Sequence, residues 1–134
     1  MILFLRALFA VVFASMFGVT TWASLHQPLG AFLRGSVIND PWVIATLFDA
    51  YWAFIAFFVW VAWKEQTLFA RVLWFVSLIA LGNLAIAIYM LVQLFGVSTS
   101  ATDALTKVFT QRRPGHLVLP GSLAAVSIAI YLLA

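Results

Sequence analysis

The chain contains no cysteine. That excludes a disulfide framework, a thiolate nucleophile, Cys-ligated zinc and an iron–sulfur cluster, and leaves no marker of redox compartment. Charge is almost as scarce: Asp, Glu, Lys and Arg make up 8% of 134 residues, four acidic against seven basic, with two histidines. There is no glycine-rich phosphate loop, no Ser/His/Asp grouping and no helical His/Glu metal pair, so the sequence reads as that of a non-enzyme with no cofactor and no metal. No internal repeat or low-complexity tract is present, which removes the simplest inverted-repeat transporter architecture.

What is abundant is apolar surface. Hydrophobic residues are 66% of the chain and the mean hydropathy is +1.13, the composition of a polytopic membrane protein. A span needs ~20 mainly apolar residues to cross ~30 Å of hydrocarbon, and four windows qualify, about 7–25, 41–63, 70–95 and 115–134. The expected fold is therefore all-α: four transmembrane helices in one bundle forming a single domain over 1–134. The opening "MILFLRALFAVVFASMFGVTTWASLHQ" resembles a signal peptide, with Thr21 and Ala23 framing a cleavage point, but its length favours an uncleaved first helix.

Local signals refine this. Ala10, Ala14 and Gly18 on the first helix and Gly121, Ala125 and Ala129 on the last form small-residue stripes, predicting that these two helices pack on each other. Asn39 and Asp40 are cap residues and Pro41 suits a first helical position. Trp42 marks one interface, Trp60 and Trp63 the other, with Lys64 and Glu65 in water. The few residues "KEQTL" make helices two and three a tight antiparallel hairpin. Within "STSATDALTKVFTQRR" (98–113), helical spacing and a Ser100–Asp103 capping box predict a short interfacial helix over about 102–112. Four cations on the long-loop face (Arg34, Lys107, Arg112, Arg113) against three on the other (Arg6, Lys64, Arg71) set no orientation by themselves. Four spans place both termini on one side, and Arg6 with the free amine points that side to the cytoplasm of a bacterial inner membrane.

One carboxylate stands out. Asp49 lies eight residues into its helix, ~12 Å from the helix start, and a bare charge in hydrocarbon costs a few kcal/mol, so it needs a partner or a cavity. Counting 17 residues either way from Gln66 matches Asp49 in depth with Asn83. Thr46 and Trp52 border it, giving an expected buried polar centre of Asp49, Asn83, Thr46 and Trp52. His26 and His116 fall on one face with Asp40 and Asp103, but without a metal-site spacing. Arg112 and Arg113 in "QRRPGH" suit a lipid headgroup phosphate or act as snorkelling anchors.

Two stretches carry a family resemblance: "DPWVIATLFDAYWAFIAFFVWVAWKE" (40–65) and "LWFVSLIALGNLAIAIYMLVQLF" (73–95), extended by "WASLHQPL". Together they resemble the domain of unknown function 1475 family, small membrane proteins of bacteria and plants. The resemblance implies a multi-pass, membrane-embedded chain in which Asp40, Pro41, Trp42, Asp49, Lys64, Glu65, Gly82 and Asn83 belong to the family pattern. It brings no activity, cofactor or substrate.

The expectation is a structural or accessory membrane protein, with the lipid bilayer, itself or a larger membrane complex as partner and no nucleic acid. The alternatives are a proton- or cation-coupled transporter or channel component using Asp49, and a lipid- or isoprenoid-binding protein.

Overall fold

Asp40 sets the start of the second long helix: its Oδ1 accepts from the amides of Trp42 (2.8 Å) and Val43 (3.3 Å), and Pro41 occupies the first turn, where a missing N–H costs nothing. The computed structural model describes residues 1–134 as helices without a β-strand. They are α1 (Ile2–His26), α2 (Leu29–Arg34), a 3-10 turn (Ser36–Asn39), α3 (Pro41–Lys64), α4 (Leu68–Leu81), α5 (Asn83–Phe95), α6 (Ala104–Thr110) and α7 (Val118–Leu133). Two of them, α1 and α3, are long and apolar enough to cross a membrane.

The segment expected as one span over 70–95 is two helices. Gly82 breaks it with φ +54° and ψ −124°, a conformation that glycine adopts without a Cβ penalty. The ring centroids of Trp74 and Tyr89, on either side of that corner, are 4.8 Å apart. Fifteen residues of continuous helix would separate them by ~22 Å, so α4 and α5 fold back on each other as a V. The arms, 14 and 13 residues, reach only ~20 Å, short of a ~30 Å hydrocarbon layer. Between them lies the larger core cluster, Val61, Trp74, Leu78, Ala85 and Tyr89, with Leu119 and Leu123 of α7 against it.

The V decides which ends of the helices meet. Ile2 packs with Leu94, Ala104 and Val108, and Lys64 reaches the carbonyl of Val108. The start of α1, the end of α3, both feet of the V and α6 therefore share one end, hereafter the clasp. At the far end, the backbone of Ala134 leaves no room for a Cβ on Gly30, so the end of α7 meets α2 beside the end of α1. The termini lie at opposite ends, not on one side as four full spans require.

Helix pairing also differs from the small-residue expectation. α1 packs against α5 and α7 against α4. On α1 the inward stripe is made of Ile2, Leu5, Phe9, Val12 and Met16, while Ala10, Ala14 and Gly18 face outward, Gly18 with nothing within 4 Å of a notional Cβ. On α7 the inward residues are Pro120, Ala124 and Ser127; Gly121 touches Leu73, and Ala125 and Ala129 are exposed. At the α4–α7 contact the inward residues are themselves small, Pro120, Ala124 and Ser127, and the Ser77 hydroxyl of α4 lies 3.4 Å from Pro120 O, so close approach is kept there through a different set of small residues.

Candidate functional site

The expected polar centre does not assemble. Asp49, Asn83, Thr46 and Trp52 are all exposed, and neither Asp49 nor Asn83 makes a side-chain hydrogen bond; Thr46 donates to Trp42 O at 2.8 Å within its own helix. The V is the reason. A Cβ on Gly82 would meet the Phe54 ring at 2.7 Å, so the corner of the V stands beside Phe54, five residues past Asp49. α5 then turns back towards the clasp, leaving residues 44–49 exposed.

The buried polar residues gather at the clasp. Lys64 and Glu65, expected in water, are 0% and 4% exposed. Lys64 Nζ donates to Val108 O and lies 5.1 Å from the centroid of the Trp60 ring. The Tyr89 hydroxyl, deep in the core, donates to Glu65 Oε1 at 3.0 Å. Burial pushes the Glu65 carboxyl above the ordinary carboxylate range, against the opposing pull of the Tyr89 hydrogen bond and of the Arg113, Lys64 and His116 charges. The tight link between α3 and α4 is held from outside by residues 109–113. Arg113 N donates to Lys64 O (2.9 Å), Gln66 N to Arg113 O (3.2 Å), Arg112 Nε to Trp63 O (3.0 Å) and the Trp60 indole to Phe109 O (3.1 Å).

The cations here cap helix ends. Arg6 donates to Leu94 O (2.9 Å) and Val97 O (2.8 Å) while its guanidinium covers the Phe95 ring, and Arg71 donates to Glu65 O. The last carbonyls of a helix have no intrahelical donor and carry the negative end of its dipole, so a cation is the natural cap. Arg112 and Arg113, candidates for headgroup binding, thus hold the link together, Arg113 with its guanidinium against Gly96 at the end of α5. Asp103 makes no capping bond to α6 and pairs with Lys107 at 3.1 Å, while Ser100 pairs with Ser98. α6 lies within the expected 102–112, but Ala104 and Val108 are buried under the bundle. His26 and His116 sit at opposite ends, so no constellation joins them.

At the far end the shortfall of the V leaves a cavity of about 620 Å³ between α1, α2, the V corner and α7, lined mainly by apolar residues, with His26, Ser24, Ser127 and Tyr131 among the polar ones. Sequence reasoning missed both this cavity and the clasp. The signal available for each was the "LGN" glycine, Gly82, which the sequence marks only as part of the family pattern and which is a corner.

A family model described as "Protein of unknown function (DUF1475)" matches residues 1–128, extending past the stretches that carry the resemblance to most of the C-terminal helix. No curated protein and no solved structure matches the chain.

Proposed function

The chain belongs to the DUF1475 family, and from that premise we propose that it is a multi-pass integral membrane protein with a structural or accessory role. In this reading α1 and α3 cross the bilayer, α7 (16 residues) runs beside them from the clasp to the far end, and α4 with α5 forms a re-entrant hairpin entering from the clasp side. Large apolar side chains exposed on every long helix support the membrane placement, among them Phe4, Phe17, Phe48, Val59, Phe69 and Leu132. Six of the seven Lys/Arg lie at the clasp, with only Arg34 at the far end. By the positive-inside tendency the clasp and the N-terminus face the cytoplasm and residues 131–134 the opposite side.

The observation that carries the structural role is the use of the polar side chains. Lys64, Glu65, Tyr89, Arg6, Arg71 and Arg112 each tie one element to another, and every buried side-chain polar atom has a partner. Such groups cross-link a bundle that lipid cannot compress by a hydrophobic drive. Lys64→Met keeps the stem and removes the donor, stranding the Val108 carbonyl, which should cost about 1–3 kcal/mol. Unfolding in rising SDS mole fraction measures it. A variant as stable as wild type would overturn the structural reading.

A second reading, binding of a lipid or isoprenoid, is favoured by the cavity at the far end.

A further inference from the structure

The far-end cavity exists because the V stops halfway. Its floor is the corner itself, including Leu81 and Leu84, and its walls come from α1, α2 and α7. A void of about 620 Å³ falls within the ~300–1,000 Å³ range of small-molecule sites. In hydrocarbon the available occupant is an amphiphile, and the lining specifies its head.

No Lys or Arg lines the cavity, so nothing there balances a phosphate or a carboxylate. Most of its polar groups present acceptors, while the Gln27 side-chain amide and the Thr20 hydroxyl add donors. His26 Nδ1 lies 2.8 Å from Trp22 O, and since a carbonyl only accepts, Nδ1 carries the hydrogen; in that tautomer Nε2 is the ring nitrogen with the lone pair. The hydroxyl hydrogens of Ser24, Ser127 and Tyr131 are already donated, to Thr20 O (2.8 Å), Leu123 O (2.7 Å) and Ala80 O (3.2 Å), so these oxygens too present lone pairs. A site with these acceptors, the Gln27 and Thr20 donors and no cation fits an uncharged head that both donates and accepts a hydrogen bond, as a hydroxyl does.

We infer that this cavity binds a neutral, hydroxyl-bearing single-chain amphiphile of the long-chain alcohol or monoacylglycerol class. The chain lies over Leu81 and Leu84 and the hydroxyl donates to the acceptors around His26. The inference deepens the lipid-binding reading and rests on the membrane placement.

The test uses the full-length protein in nanodiscs of phosphatidylcholine and phosphatidylglycerol, with a diazirine-bearing hexadecanol as photoprobe and peptide mass spectrometry as readout. Label should concentrate on 19–27, 80–84 and 127–131, fall at least tenfold with excess monoacylglycerol and persist with excess phosphatidylglycerol. The methyl ether of the same probe, which cannot donate, should label at least fivefold less. Ala23→Trp, which fills the cavity, and His26→Leu, which removes the acceptor, should lower labelling with unchanged melting. Label spread over lipid-facing residues such as Phe48 and Phe69, equal competition by phosphatidylglycerol, or equal labelling by the methyl ether each overturns the proposal. The ether comparison uses wild-type protein and stands even if a variant misfolds. Failure of the membrane placement is distinct, because that protein would stay soluble without detergent.

Discussion

Glu65 is the residue on which burial and charge disagree most. It is almost without exposure, one of its oxygens is held by Tyr89, and burial pushes its carboxyl upward. A carboxyl with a raised folded-state pKa binds more protons folded than unfolded. Its contribution is therefore fully favourable below the unfolded value and declines as pH rises from there through the folded value. The Glu65→Gln protein, which keeps an acceptor for Tyr89, should lose that decline. Melting temperatures from pH 4 to 7 in one detergent check this: wild type should fall relative to the variant across the range, and parallel curves would contradict it. Asp49 is the counterpart, a carboxyl that the single chain leaves exposed and without a hydrogen bond. Because Asp49 makes no hydrogen bond within the chain and a carboxylate facing hydrocarbon is unfavourable, Asp49→Leu should not lower the unfolding stability of the isolated protein by more than about 1 kcal/mol. A larger loss in the same SDS titration would place a partner for Asp49 within the chain.

Among the elements, the V of α4 and α5 depends on one residue. Gly82 combines positive φ with the Phe54 ring packed where a Cβ would be. Gly82→Ala should therefore cost about 1–3 kcal/mol, the range for a backbone held in a sparsely populated region. Adding Phe54→Leu should relieve the clash but not the backbone, recovering only part of the loss. Denaturation of the single and double variants measures both parts, and full recovery would show that crowding alone fixes the corner. The expectation of one continuous span over 70–95 follows from hydropathy, which registers apolar content and not direction. Both arms are apolar, and nothing in their composition distinguishes a straight helix from one that turns back.

For the whole molecule, the V changes which residues share a side. With four full spans, the 98–113 segment would lie with the connection after α1; with the V re-entrant, it lies with the link between α3 and α4. The chain has no native cysteine, so single cysteines report cleanly. In sealed vesicles of one orientation, Gln66→Cys and Thr102→Cys should label with a membrane-impermeant maleimide from the same side, and Ser36→Cys from the other. Thr102→Cys labelling with Ser36→Cys would restore the four-span arrangement. The same folding turns an undecided four-against-three split of cations into six against one, so the orientation signal appears only once the helices are placed.

The sequence alone determined the all-α class, the family, the start of α3 at Pro41 and the tight link after it. These rest on local physics: apolar content, capping oxygens and the short reach of three non-helical residues between α3 and α4. It also placed a short helix within 102–112. Tertiary structure decided the polar sites. Counting residues matches Asp49 and Asn83 in depth but not in the direction each side chain takes, and in the folded chain both are exposed with no hydrogen bond between them. Lys64 and Glu65 read as interfacial because they end a helix, yet they are buried because a segment nearly fifty residues later folds across them. Burial of a helix end is settled by what packs on it, and that partner lies outside any local window of sequence.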